Sequence, residues 1–130
     1  MELQPGLLGE IRRLVSESTS AERYGNSGFA VLGTPALVGL FEEAGMAAVA
    51  GALAPTEGTV GTRVNIRHLA ATPIGEEVRA TARLVTVDRR RLVFALEATD
   101  AVRPIADGEM ERFVVDIARF LSKAKVRDRA

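Results

Sequence analysis

One run of small and apolar residues, residues 36–53, constrains the fold more than any other part of the sequence. Thr34 and Pro35 precede it, and these suit a helix start because threonine can cap a helix and proline fits its first turn. The run contains no proline before Pro55 and predicts a helix about 27 Å long, at 1.5 Å per residue. Small residues recur along it, so the helix is thin enough to lie close against a concave surface. These residues are Ala36, Gly39, Ala44, Gly45, Ala47, Ala48, Ala50 and Gly51.

Three strand patterns follow the helix, at residues 58–70, 76–88 and 91–100. Apolar and polar residues alternate in them, which is typical of strands with one buried face. The segments TPIG and DRR between them predict short turns and an antiparallel meander of about four strands. Since one helix cannot cover both faces of a sheet, we expect a two-layer α+β fold whose exposed edges favour a dimer.

Local patterns leave the first and last parts of the chain undecided. Residues 10–18 fit either a strand or a helical turn. The stretch EMERFVVDIARFL alternates Phe113, Val115 and Ile117, yet it also fits a helix. The glycine-rich residues 19–33 are typical of a loop that crosses towards the helix.

Composition excludes several classes of function. The 130 residues fit one domain spanning 1–130, and 17 basic residues balance 17 acidic ones, so no nucleic acid or anionic membrane is expected as partner. The chain has no cysteine, which excludes disulfides and cysteine nucleophiles and is compatible with a cytoplasmic protein. We expect no signal peptide and no apolar stretch long enough to span a bilayer. With a single histidine, no metal site is expected either.

Three positions carry residue types used in acid–base or nucleophilic chemistry. The only histidine, His68, lies on the apolar face of the first strand pattern, and Thr34 stands at the start of the helix. Glu42 and Glu43 are the only charges inside the apolar helix, and adjacent helical residues point about 100° apart, so only one can face a pocket. A carboxylate and an imidazole in apolar surroundings suit catalysis, and free N–H groups at a helix start can hold an oxyanion.

Each of these residues also has a purely structural interpretation. His68 fits a core histidine with one hydrogen bond, and Thr34 fits a helix cap. One of the two glutamates fits the solvated edge of the helix. The arginine run at 89–91 is typical of a solvated turn, and Gly61 of a strand irregularity or a close backbone approach.

Three segments together resemble the fluoroacetyl-CoA thioesterase family: VLGTPALVGLFEEAG, GTVGTRVNIRHLAATPIG and DGEMERFVVDIARF. The resemblance covers about residues 10–125. It implies the hotdog fold, an α+β fold in which a curved antiparallel sheet wraps one long central helix, and it implies that both undecided segments are strands. It further implies a homodimer that hydrolyses acyl-CoA without a metal or other cofactor, CoA being part of the substrate. Whether dimers pair into tetramers stays open.

The resemblance assigns five site residues. It implies that Thr34, Glu42 and His68 are catalytic and that Gly61 and Arg112 contact the substrate. Eight residues separate Thr34 from Glu42, or about 12 Å along a straight helix, so the two side chains cannot touch by that route. Three explanations stay open: the segment after Thr34 is not yet helical, the two residues act on different parts of the thioester, or a partner subunit completes the site.

One departure from the family concerns the acyl group. A phenylalanine-rich lid precedes the catalytic threonine in the fluoroacetyl-specific enzyme, whereas AERYGNSGFAVLG contains only the aromatic residues Tyr24 and Phe29. This speaks against fluoroacetyl-CoA as the substrate. We therefore expect a thioesterase for a small acyl-CoA, with Glu42 as nucleophile or general base assisted by His68 and Thr34. The alternatives are a hotdog hydratase, for which the helix lacks a histidine, and a non-catalytic protein that binds acyl-CoA or another small ligand.

Overall fold

A five-stranded antiparallel sheet lies against one long helix in the computed structural model, which describes residues 2–127. The strands are β1 Leu8–Leu14, β2 Glu57–His68, β3 Glu77–Asp88, β4 Arg91–Thr99 and β5 Pro104–Asp116. The helices are α1 Thr34–Val49 and α2 Ile117–Lys125. Short 3-10 turns occupy Glu17–Thr19, Ala21–Tyr24 and Ala50–Ala52. The α+β fold with one long helix is therefore confirmed.

The strand order is β1-β3-β4-β5-β2, so β2 and β1 are the two edges of the sheet. The expectation of a simple meander is wrong for β2, which pairs with β5 and not with the next strand in sequence. The segment TPIG is consequently no hairpin turn but part of a crossover, where Thr72 and Gly75 bond to Leu32 and Val15. The turn between β3 and β4 joins neighbouring strands, as expected for DRR, and the connection between β4 and β5 does so too.

Helix α1 begins one residue earlier than a threonine cap would place it. Gly33 is the N-cap, with an extended backbone and no side-chain cap bond, and Thr34 is already helical. The expectation that Thr34 caps the helix is therefore wrong, because its hydroxyl group is engaged elsewhere. Pro35 lies in the first turn, as expected.

The small residues of α1 allow the close packing expected of a thin helix. The Cα of Gly9 on β1 lies so near the Ala44 carbonyl that a Cβ would collide with it. Gly45 lies beneath the Met110 side chain, where an added Cβ would be 2.5 Å from Met110 Cε. Larger side chains fill the core between helix and sheet, including Leu37, Leu40, Phe41, Leu84, Leu92, Phe94 and Ile105.

The two undecided segments are strands for most of their length. Residues 8–14 form β1 and pair with β3, and β5 continues to Asp116 before α2 begins. The Asp116 carboxylate accepts a bond from the Arg119 N–H at 3.0 Å, which caps α2 and stops the strand. The alternation of Phe113 and Val115 marks the outer face of β5, since the buried positions are Met110, Arg112 and Val114.

The helical segment Thr34–Ala52 is long and apolar enough to cross a membrane by length and composition alone. The expectation that no stretch reaches that length is therefore wrong. In this fold the segment supplies Leu37, Phe41 and Ala48 to the core beneath the sheet. Core helices of globular domains meet the same criterion.

Candidate active site

A buried arginine on β5 anchors the first of two polar clusters, which we call the Glu42 cluster: Glu42, Arg112, Thr59 and Gly61. Arg112 Nε donates to Thr59 Oγ1 at 2.9 Å, and Nη2 donates to the Thr59 carbonyl oxygen at 2.8 Å. The third nitrogen, Nη1, lies 3.4 Å from Glu42 Oε1. The side chain of Arg112 is 4% exposed and that of Glu42 is 39% exposed. The carboxylate is thus held by a buried cation but stays open to a ligand.

The charge of Arg112 governs the electrostatics of this cluster. Burial lowers the pKa of Arg112 from its ordinary value, and the Glu42 carboxylate opposes this effect. A guanidinium remains protonated under all working conditions. Arg112 is therefore a permanent buried cation. Its Nε and Nη2 atoms are bonded to Thr59, and its Nη1 atom positions Glu42 Oε1.

Gly61 makes room for the Glu42 carboxylate. A Cβ at this position would lie 2.6 Å from Glu42 Oε1 and 3.2 Å from Arg112 Nη1. A β-bulge follows, because Gly61 pairs with Arg112 and Arg63 pairs with the adjacent Glu111. Both expectations for Gly61, a strand irregularity and a close approach, are confirmed.

The bulge also changes which residues share a face. Residues seven apart in a regular strand point to opposite faces. The extra residue of the bulge puts Gly61 and His68 on the same face of β2, towards α1. Because Thr62 is skipped, the side of the sheet that carries His68 is also the side on which Gly61 meets Glu42.

Replacing Gly61 by alanine is expected to lower kcat/KM by about 10-fold to 10²-fold, because the methyl group displaces the carboxylate. Gly61 is exposed, so the melting temperature should change little. The matched control is Gly39→Ala on α1, where the added Cβ meets nothing within 4 Å. Steady-state kinetics of both variants test this, and equal rates for the two would contradict the role given to Gly61.

Glu43 faces away from the cluster. Its Oε1 accepts a bond from Arg13 Nη2 at 2.9 Å, and both side chains are 43% exposed. Such a surface pair contributes little to stability. Only Glu42 therefore belongs to the cluster, and that it faces a pocket stays a prediction.

The second polar cluster is the pair Thr34 and His68. Thr34 Oγ1 lies 2.8 Å from His68 Nδ1. The helix start and the end of β2 meet here, which is why the hydroxyl group does not cap its own helix. Val64, Ile66 and His68 are half-buried and the residues between them are exposed, as the alternation predicted.

The other ring nitrogen of His68 is unused. Nε2 is buried and has no hydrogen-bond partner among the described residues. Burial lowers the pKa of His68 below its ordinary value of 6.5, and the backbone of Ala70 acts in the opposite direction without forming a bond of good geometry to Nε2. The ring is therefore neutral at neutral pH, and Nε2 accepts no hydrogen bond from the described residues. A satisfied core histidine does not fit this geometry.

The pair opens into a cavity of about 430 Å³. Tyr24, Asn26 and Leu69 line it together with Thr34 and His68. Phe29 is not among its lining residues and is 55% exposed. Of the two aromatic residues in the segment before Thr34, only Tyr24 reaches the cavity.

Within one chain the two clusters remain apart. Helix α1 is continuous from Thr34, so Thr34 and Glu42 are about 12 Å apart along its axis, and the first of the three explanations is excluded. On β2, Gly61 and His68 are separated by seven residues, or about 20 Å. The structure brings Glu42 together with Gly61 and Arg112, and Thr34 together with His68, but not the two groups with each other.

Reasoning from sequence missed Thr59, which binds Arg112 twice. One signal was present: Arg112 alternates with Met110 and Val114, so a core-facing position on β5 carries a charge. Buried arginines need partners for their donors, and this predicts polar groups on the neighbouring strand. Among residues 2–127, no three side chains of the types that bind metals lie together.

Comparison with known proteins shows similarity along most of the chain. A family model described as fluoroacetyl-CoA-specific thioesterase matches residues 15–118. The fluoroacetyl-CoA thioesterase of Streptantibioticus cattleyicolor is 42% identical over 99 residues, which are 76% of this chain and 70% of that protein.

Solved structures of similar shape agree. A crystal structure of a mutant of the fluoroacetyl-CoA-specific thioesterase FlK is 31% identical, with a TM-score of 0.90 over 96% of this chain and 97% of that chain. The same mutant, solved with fluoroacetate and CoA, is 33% identical, with a TM-score of 0.84 over 89% of this chain and 95% of that chain. A hypothetical protein of Thermus thermophilus, described as a thioesterase superfamily member, is 24% identical, with a TM-score of 0.86 over 94% and 90%. This last likeness concerns the fold alone, and it confirms a curved sheet around one central helix.

Proposed function

The chain belongs to the family of fluoroacetyl-CoA-specific thioesterases and is an acyl-CoA thioesterase, and we propose that Glu42, His68 and Thr34 carry out its reaction. The observation that supports this assignment is the pairing of each reactive group with a positioning partner. Arg112 holds the Glu42 carboxylate, and Thr34 holds the imidazole of His68 with Nε2 left unbonded.

A homodimer joined through β2 supplies both clusters to one site. β2 is a sheet edge of 12 residues, and no strand of the described chain pairs with its outer side. Antiparallel pairing of two copies about a two-fold axis at Asn65, with Thr62 skipped as it is in the pairing with β5, sets His68 opposite Gly61 of the partner subunit. Directly opposed residues share a face, and the bulge puts these two on the face towards α1. Each of the two sites in the dimer then takes Glu42 from one subunit and His68 from the other.

The first step of the proposed reaction is attack by Glu42 on the thioester carbonyl carbon. A Glu42 carboxylate oxygen forms a C–O bond, the carbonyl electrons move to oxygen, and their return expels CoA as the thiolate. The acyl group is left on Glu42 as a mixed anhydride. Gly61 keeps the carboxylate accessible, and the cationic Arg112 lies beside the developing oxyanion.

The second step is hydrolysis of the anhydride. Thr34 Oγ1 accepts the bond from Nδ1–H of His68, so that the Nε2 lone pair can take a proton from water. The hydroxide oxygen attacks the acyl carbon, the bond to Glu42 breaks, and the free acid forms. The proton held by His68 then passes to the CoA thiolate. These steps use only groups of the chain, and we propose that no metal or cofactor takes part.

Release of free thiol from a panel of acyl-CoA esters tests the function. We expect turnover of at least one ester, with fluoroacetyl-CoA a poorer substrate than other acyl-CoAs because Tyr24 is the only lid aromatic at the cavity. Tight binding of acyl-CoA without any thiol release would favour a non-catalytic binding protein. Formation of an enoyl or hydroxyacyl product would favour a hydratase.

Mixing two inactive variants tests the shared site. In a heterodimer of Glu42→Gln and His68→Asn subunits, one site has lost both groups and the other has kept both. Random exchange of subunits should therefore restore about one quarter of wild-type activity, because half of the dimers are mixed and each has one intact site. If Glu42 and His68 act within one subunit, no activity returns.

Sedimentation at micromolar concentration is the control for that experiment, and a monomer would exclude the shared site. It also reports whether dimers pair into tetramers. A cytoplasmic location is part of the proposal, and cell fractionation would check it.

A further inference from the structure

An apolar groove begins beside the Glu42 cluster and runs between the end of α1, the start of β2 and α2. Its volume is about 630 Å³. Met46, Ala50 and Leu53 line one wall, Val60 lies on the strand, and Phe120 and Leu121 of α2 form the opposite wall. Met46, Phe120 and Leu121 are each more than two-fifths exposed, which is unusual for large apolar side chains grouped on one surface.

The groove is connected to the Glu42 cluster through Thr59 and Met46. Met46 lies one helical turn after Glu42 and therefore on the same side of α1. Thr59, which holds Arg112, is itself a lining residue. A thioester whose carbonyl carbon lies at Glu42 thus has the groove directly beside it.

We propose that this groove binds the acyl group of the substrate, and that the acyl group is apolar and larger than acetyl: an aliphatic chain of about six to eight carbons or a single aromatic ring. The proposal rests on the proposed function of Glu42. The volume is within the range of small-molecule sites, about 300–1,000 Å³.

The chemistry of the lining favours the acyl group over the CoA part of the substrate. CoA carries phosphates and amides, which need cations and hydrogen-bond partners. The side chains along the groove offer only the Thr59 hydroxyl group and the Glu57 carboxylate, and the latter repels phosphate. The cavity at His68 is more polar, since Tyr24, Asn26 and Thr34 line it.

A ladder of straight-chain substrates tests the proposal with the wild-type enzyme. From acetyl-CoA to hexanoyl-CoA, which adds four methylene groups, kcat/KM should rise about fourfold per group and roughly 200-fold in total, the equivalent of ~0.8 kcal/mol for each buried CH₂. If kcat/KM stays constant or falls as the acyl chain lengthens, the inference is overturned while the thioesterase function remains. Absence of thiol release from every ester would instead mean that the proposed function fails.

A filled groove should abolish the preference for long chains. Ala50→Phe places a ring in the groove at an exposed position, so the fold should tolerate it, and we expect the ratio of hexanoyl-CoA to acetyl-CoA turnover to fall at least about tenfold. Ala47→Phe is the matched control: Ala47 is an exposed alanine of α1 that lies outside the groove, and the ratio of this variant should match wild type.

Two outcomes of the variant experiment would contradict the proposal. An equal loss for all esters, together with weaker inhibition by free CoA, would assign the groove to the CoA arm. A change of sedimentation in Ala50→Phe with an unchanged ratio would mean that a second copy of the chain covers the groove.

Discussion

Replacing Glu42 by glutamine is expected to lower kcat by about 10³-fold or more and to abolish the burst of thiol in the first turnover. Glutamine has the same shape as glutamate but is a poor nucleophile. The fold should survive, because Arg112 keeps both bonds to Thr59 and Glu42 is partly exposed. Rapid-mixing measurement of thiol release, alongside a thermal melt, separates loss of chemistry from loss of structure.

Glu43→Gln is the matched control for that variant. It removes the same charge one residue away and breaks only the surface pair with Arg13, so its rate and burst should remain near wild type. A larger loss at position 43 than at position 42 would show that the wrong carboxylate has been assigned. An equal loss at both would indicate a general effect of helix charge.

The helix and the strands could be predicted from sequence because each is encoded by a local pattern. In β3, for example, every second residue is buried, as Val78, Ala80 and Ala82 show, and this alternation can be read from a short stretch of sequence. Which strands pair could not be predicted in this way. β2 pairs with β5, about 50 residues further along the chain, so its partner depends on contacts that no local pattern encodes.

The site was predictable where a residue was conspicuous in its local pattern. Glu42 in an apolar helix and His68 on an apolar strand face stand out by type, and the resemblance to a known family supplied Gly61 and Arg112. Thr59 did not stand out, because a threonine in a strand is ordinary and its role depends on the guanidinium of a distant strand. The contact between Thr34 and His68 could not be predicted locally either, because it requires the last residue of β2 to lie beside the first turn of α1.

The bulge after Gly61 shows how a small irregularity can organise a site. A regular strand would turn His68 to the opposite face from Gly61, and a dimer paired through β2 could then not combine the two clusters. The sequence GTVGTRV contains the glycine but not the information that Thr62 is skipped. The register of β2 on β5 decides this, and it follows from the burial of Met110 and Arg112.

Replacing His68 by asparagine is expected to lower the steady-state rate by about 10²-fold or more while preserving the first burst of thiol. In the proposed reaction, Glu42 still expels CoA, and one equivalent of thiol per active site appears quickly. Without the imidazole, hydrolysis of the acyl-Glu42 anhydride becomes slow. Loss of the burst as well would mean that His68 acts in the first step. A rate equal to wild type would return His68 to a structural role.

The pH dependence of the wild-type enzyme should identify the same group. Because burial lowers the pKa of His68 from 6.5, the neutral ring persists below that pH, and kcat should fall only as the pH drops through the lowered value.

The stability of the fold should change with pH in the same direction as kcat. Between the folded pKa and 6.5 the unfolded chain binds a proton that the folded chain does not, so the free energy of unfolding decreases as the pH falls through this window and is unaffected above it. The His68→Asn variant should lack both effects, and melting curves and rates measured from neutral pH downwards would contradict the assignment if wild type and variant showed the same acid inflection.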